Sequence, residues 1–181
     1  MIEDIKKNIE KSQNFLKKKD FASAETLLLK NLEITKDNFE TFFLLGTIYG
    51  IKKDFDKAVS HLEKAIDIKP EHVNSILNLA IIFKKINQTE KSKNCFEKVI
   101  NLDKKNIESY CGIAEIFEKK GNLREAEIFY QKAIKIDNLH HIANHRYGKL
   151  LFRLNQHLKG LKLIEKVSGM IRFKNQTIEI K

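Results

Sequence analysis

The sequence predicts an all-α solenoid of antiparallel helix hairpins, five of them, ending in a short extended tail. Two observations predict it. The first is self-similarity at a fixed period of 34 residues along nearly the whole 181-residue chain, a unit length that stacks into helical arrays. The second is that apolar residues recur within each unit at three- and four-residue steps, as in Phe42, Leu45, Tyr49 and then Val59, Leu62, Ile66. That is the period of a helix, not of a strand. Composition agrees: seven Gly and one Pro are too few for a sandwich, which spends such residues on its many turns.

The register follows from small residues. Gly46, Ala58, Leu62 and Ala65 align with Ala80, Ser92, Phe96 and Val99, then with Ala114, Ala126, Tyr130 and Ala133, then with Gly148, Gly160, Ile164 and Val167. One step back gives Ser12, Ala24, Leu28 and Asn31. Five frames result, at 5–38, 39–72, 73–106, 107–140 and 141–174, so the array occupies 1–174 and the tail 175–181. Small residues at frame positions 8 and 20 let the two helices of a hairpin approach at backbone distance. Large ones at position 11 (Phe15, Tyr49, Phe83, Phe117, Leu151) and position 24 (Leu28, Leu62, Phe96, Tyr130, Ile164) fill the space around them, as dense packing requires.

The turns inside the hairpins carry their own signals. Position 16 is Asp20, Asp54, Gln88, Asn122 and Gln156, a residue able to cap the second helix in three frames. Asn122 with Glu125 has the spacing of a capping box. Lysines crowd the preceding helix end (Lys17-Lys18-Lys19, Lys52-Lys53, Lys84-Lys85, Lys119-Lys120), where they complement the helix dipole.

Both ends depart from the pattern. In the first frame Asn8, Lys11 and Asn31 replace apolar residues, which reads as a solvated N-terminal cap. The last frame is over-apolar, with Leu150, Leu151, Phe152, Leu154, Leu158, Leu161, Leu163, Ile164 and Val167, and suggests self-association or a join to something else. From Gly169 the chain alternates at Ile171, Phe173, Ile178 and Ile180, the pattern of an extended hairpin turning at 174–176.

Over residues 5–174 the sequence resembles the tetratricopeptide repeat family. Its W-x2-L-G-x2-Y…A-x3-F…P signature is met best by Phe42, Leu45, Gly46, Tyr49, Ala58, Leu62 and Pro70, whereas Lys104, Asn138 and Arg172 replace the Pro later. The resemblance implies a right-handed superhelix whose first helices line a concave groove. The groove positions then hold Phe43 and Thr47; Asn74, Leu77, Asn78 and Ile81; Cys111 and Glu115; and His145, Arg146 and Lys149. Phe43, Leu77 and Ile81 would form an apolar middle leading to a basic end, suited to a peptide with an apolar anchor and an acidic segment. The same three side chains would equally serve to pack adjacent helices. Two family subtypes do not fit. The clamp for a terminal carboxylate would fall on Phe43, Thr47, Asn78, Glu108 and Gly112, and the asparagine ladder on Glu10, Leu44, Asn78, Gly112 and Arg146.

Other function classes find little support. No P-loop, nucleophile elbow, zincin or dinucleotide fingerprint occurs, so no catalytic residue, cofactor or metal is expected. His141 and His145 have a metal-ligand spacing, with His140 and His157 near in sequence, but surface histidine is the favoured reading. Cys95 and Cys111 make no C-x-x-C, and Cys111 reads as a small packed residue more than as a reactive thiol. The N-terminus lacks an apolar leader, and no apolar run approaches the ~20 residues that span a bilayer. The expected compartment is the cytoplasm.

The leading reading is thus a non-catalytic scaffold binding a protein or peptide. One alternative is the N-terminal recruiting module of a larger enzyme, a transferase or oxygenase, because family arrays are fused to such domains. Another is nucleic-acid binding through the basic C-terminal half: residues 91–181 carry 19 basic against 10 acidic side chains. Lysine dominates that excess, however, and lacks the planar fork that reads bases and clamps phosphate.

Overall fold

The computed structural model describes residues 2–168, 171–174 and 177–180, the last two stretches as backbone. Ten helices and one strand pair run in order among them. They are α1 (Ile2–Lys17), α2 (Phe21–Ile34), α3 (Phe39–Lys52), α4 (Phe55–Ile68), α5 (Val73–Lys85), α6 (Thr89–Leu102), α7 (Ile107–Lys119), α8 (Leu123–Ile136), α9 (His141–Arg153), α10 (His157–Ser168), β1 (Ile171–Lys174) and β2 (Thr177–Ile180). The all-helical repeat fold is as the period predicts. The chain forms two compact units, Met1–Cys95 and Phe96–Lys181.

Each hairpin turns in the same way. Lys19, Lys53, Asn87, Gly121 and Asn155, spaced 34 apart, all take a left-handed backbone with φ between 59° and 81°. The next residue's N–H then reaches back five residues, as in Asp20 to the Phe15 carbonyl (2.9 Å), Gln88 to Phe83 (2.9 Å) and Gln156 to Leu151 (2.8 Å). This is the Schellman arrangement, which satisfies carbonyls left open at a helix end. Lys19 and Lys53 therefore do more than complement the dipole: they hold the turn itself.

Caps start the next helices. Asp20 accepts from the Ser23 N–H (3.1 Å) and Asp54 from that of Lys57 (3.4 Å). Asn122 stands at the same place but makes no side-chain cap bond, so the expected capping box does not form. A second column of caps opens the first helices: Asn38, His72, Asn106 and His140 accept from the N–H groups of Thr41, Ser75, Ser109 and Ala143. His140 thus spends its Nδ1 lone pair on a helix terminus.

The first unit's core lies between its helices. Ala24, Leu28, Leu45, Ile48, Ala58 and Leu62 are fully buried there. Ser92 Oγ donates to the Ala80 carbonyl across its hairpin at 2.8 Å, which shows how closely the small positions bring two backbones together. Asn31 corrects the solvated-cap reading. It is fully buried, accepting from Asn8 Nδ2 (2.8 Å) and donating to the Ile5 carbonyl (3.3 Å) and Thr41 Oγ1 (3.4 Å). The apolar neighbours tolerate it because both ends of its amide are satisfied.

The second unit packs around Tyr130, Ala133, Ala143, Leu150 and Leu151. Its α9–α10 hairpin brings backbone against backbone: a Cβ at Gly160 would stand 2.7 Å from the Gly148 carbonyl oxygen. Strands β1 and β2 pair antiparallel, Ile171 opposite Ile180 and Phe173 opposite Ile178. Extended backbone therefore begins at Ile171, ahead of the 175–181 tail, while residues 175 and 176 of the expected turn lie outside the described residues.

Candidate partner-binding face

Helices α3 and α5 place their groove positions side by side in the first unit. Asn78 Nδ2 donates to Thr47 Oγ1 at 3.1 Å, and Thr47 in turn donates to the Phe43 carbonyl at 2.9 Å. Beside that pair opens a pocket of about 170 Å³ lined by Thr47, Gly50, Ile51, Asn78, Ile81 and Lys85. Gly50 creates the opening, since a Cβ there would come within 3.3 Å of Ile82 Cδ1. Ile51 is 51% exposed at the rim. The result is a small apolar recess with an amide and a hydroxyl at one side and an ammonium at the other.

The remaining first-unit residues divide their surface. Phe43 is half-buried, stacked on Phe39 (6.1 Å between centroids) and met edge-on by His72 (4.9 Å). It packs adjacent helices with one face and leaves part of the ring outside. Leu77 and Ile81 are half-buried and Asn74 is exposed. Sequence reasoning missed Gly50, Ile51 and Lys85, although a second glycine four residues after Gly46 on one helix was a usable signal.

In the second unit, α7 and α9 bring opposite charges together. Arg146 reaches the Glu115 carboxylate at 2.5 Å and Arg153 reaches Glu118 at 2.7 Å. Glu118 also accepts from the Tyr130 hydroxyl at 3.0 Å, and burial, with that carboxylate beside it, pushes the Tyr130 phenol well above its usual value. The basic end read from the sequence is therefore partly neutralised: Arg146 is paired, and Lys149 is its exposed cation, with His145 exposed beside it in sequence. Cys111 is 1% exposed and belongs to the core, not to the surface. No cluster of three potential metal ligands occurs among the described residues, and no helix there is long and apolar enough to cross a membrane.

Residues 39–72, 73–106 and 107–138 each match the tetratricopeptide repeat model, together more than half of the chain. The chain belongs to the tetratricopeptide repeat family. Similar solved structures include the tetratricopeptide array of MamA from Desulfovibrio magneticus, solved from residue 41 to its end (19% identical, TM-score 0.80, covering 92% of this chain and 94% of that one). PilF of Pseudomonas aeruginosa is 12% identical with a TM-score of 0.82, over 92% of this chain and 76% of its own. A tetratricopeptide protein of Thermus thermophilus is 9% identical with a TM-score of 0.71, over 91% and 92%. At these identities the likeness is one of fold. No curated protein matches this tetratricopeptide chain in sequence. Members of the family are typically non-catalytic scaffolds that bind proteins or peptides.

Proposed function

We propose that this chain is a cytoplasmic, non-catalytic scaffold that holds an extended segment of a partner protein against its first helices. The observation that carries this reading is the recess beside Gly50. A volume of about 170 Å³ suits one aliphatic or aromatic side chain, and the Asn78–Thr47 pair beside it offers hydrogen bonds to a passing peptide backbone. Apolar recesses with a few convergent polar groups are where proteins hold ligands. Phe43, Asn74, Leu77 and Ile81 extend the contact in the first unit, and Glu115, His145, Arg146 and Lys149 supply a charged surface in the second. Because Glu115 already faces Arg146, selection of an acidic segment falls mainly to Lys149.

Affinity capture with the full chain from its native cells tests the proposal. A partner held by the wild type should be lost about tenfold or more with Gly50→Leu, which fills the recess, and with Ile81→Ser, which strips its wall; a central contact is worth more than 1.4 kcal/mol. Circular dichroism confirms that the variants fold. An unchanged set of captured proteins would remove the first-helix face from consideration.

A further inference from the structure

The first hairpin carries a second surface, on the side away from the second hairpin. In the second hairpin, the groove beside α3 is covered by the preceding helix, α2, which packs on α3. Glu25 of α2 meets Lys52 Nζ at 2.6 Å, and its carboxylate lies near enough to the Tyr49 phenol to help burial raise its pKa. Leu28 and Leu32 of α2 pack into the cluster holding Leu45, Ile48 and Tyr49. A single motif, a carboxylate with leucines three and seven residues later, thus reads a lysine, a ring and an apolar floor.

The same groove recurs 34 residues earlier, between α1 and α2, as an open cavity of about 540 Å³ lined by Lys11, Asn14, Phe15, Lys18, Ser23, Thr26 and Leu27. Phe15 stands where Tyr49 does and Lys18 where Lys52 does, so the lysine that receives Glu25 is repeated and the ring beside it is kept without its hydroxyl. Two differences say how a visitor would bind. Lys11 and Asn14 replace the buried Leu45 and Ile48, which removes much of the apolar area that fixes α2 in place. Lys7, Lys11 and Lys18, all exposed, stand with Asn14 at steps of four, three and four residues, a continuous stripe along one helix face.

We propose that this groove docks an acidic amphipathic helix of a partner protein, a carboxylate on Lys18 and leucines over Phe15 and Leu27. The contact is reversible, because little apolar area holds it, and selected by charge, because the lysine stripe repels a basic helix and attracts an acidic one. It is separate from the first-helix face and does not depend on that reading.

The probe is a labelled peptide with the sequence of α2, residues 21–34, stapled between positions 26 and 30 on the face opposite Glu25. Its fluorescence anisotropy is titrated against the full chain. Saturable binding should weaken about five- to tenfold with Lys18→Glu in the protein and recover when the peptide carries Glu25→Lys, the scale expected for reversing one exposed pair. Lys18 is exposed, so the variant keeps its fold, and Ile81→Ser should leave this binding unchanged even if it abolishes capture at the other face. Absence of saturable binding, or equal affinity for wild type and Lys18→Glu, overturns the proposal. So does a lysine stripe that binds phosphatidylserine-containing vesicles and not the peptide, which would assign it to an anionic membrane surface.

Discussion

Protonation of His72 removes the hydrogen bond that opens α5. Its Nδ1 accepts from the Ser75 N–H at 3.2 Å, and an imidazolium has no acceptor left. Burial, and then Lys69, hold the His72 ring below its usual value; burial, and then Lys64 and Lys57, do the same for His61, which stacks on Tyr49 at 5.3 Å. For both rings the folded chain binds a proton less readily than the unfolded one. Their contribution is complete above the unfolded value of about 6.5 and is lost as pH falls through the depressed folded values. The urea midpoint should therefore be flat from about pH 8 to 7 and drop below about pH 6. His72→Asn should shrink that drop, since Asn38 and Asn106 serve the same cap in neighbouring hairpins; an unaltered pH profile would show that His72 takes no part. Asn31→Ala should cost about 1–3 kcal/mol by chemical denaturation, because it takes the acceptor from the Asn8 amide and the bonds to the Ile5 carbonyl and Thr41 hydroxyl together. Ala65 and Ala133 show that the backbone there accepts alanine, so the loss would be one of hydrogen bonding. The cap column was written in the sequence at a 34-residue spacing, but histidine is not a usual cap. Asn31 was misread because polarity alone says nothing of whether a partner waits inside.

At the scale of helices and turns, the left-handed residue after each first helix decides a second pair of outcomes. Lys53 holds φ 64° and Lys19 φ 60°, whereas the fourth hairpin places Gly121 there. A side chain with a Cβ costs roughly 1–2 kcal/mol in that conformation, and glycine gives part of it back in chain entropy. Lys53→Gly should thus raise stability by about 0.5–1 kcal/mol, or about 1–4 °C in Tm for a chain this size. A fall in Tm would mean that the lysine makes compensating contacts. Gly160→Ala goes the other way. Its new Cβ would meet the Gly148 carbonyl oxygen at 2.7 Å, backbone that cannot rotate aside, so a loss of about 1–3 kcal/mol is expected from overpacking. Gly46→Ala meets chiefly the Leu62 side chain, with the Leu62 backbone nitrogen no nearer than 3.2 Å, and should cost less, the order that thermal unfolding of the two variants would check. Small residues at positions 8 and 20 were readable from the sequence because close approach leaves no other choice. The recess beside Gly50 was not, because it depends on where Ile82 of another helix points.

For the molecule as a whole, what periodicity makes legible is the neighbour relation, since each hairpin repeats the contacts of the one before. Function was less legible, because side chains at the same frame position meet different fates: at position 5, Phe43 and Leu77 are half-buried, Cys111 is sealed in the core and His145 is exposed. Within each unit the packed pairs of helices are those one or two apart in the chain. An array of this kind has a stability close to a sum of hairpin terms and nearest-neighbour terms, without one indivisible core. Damage should then stay local. In Asn31→Ala, amide exchange should quicken in α1, α2 and α3, while α8, α9 and α10 keep wild-type protection, because the contacts they make within their own unit are unchanged. Hydrogen exchange read by mass spectrometry separates this from the alternative. Equal loss of protection in all ten helices would mean that the chain opens as one unit and that the repeat is a pattern of sequence, without being a unit of stability.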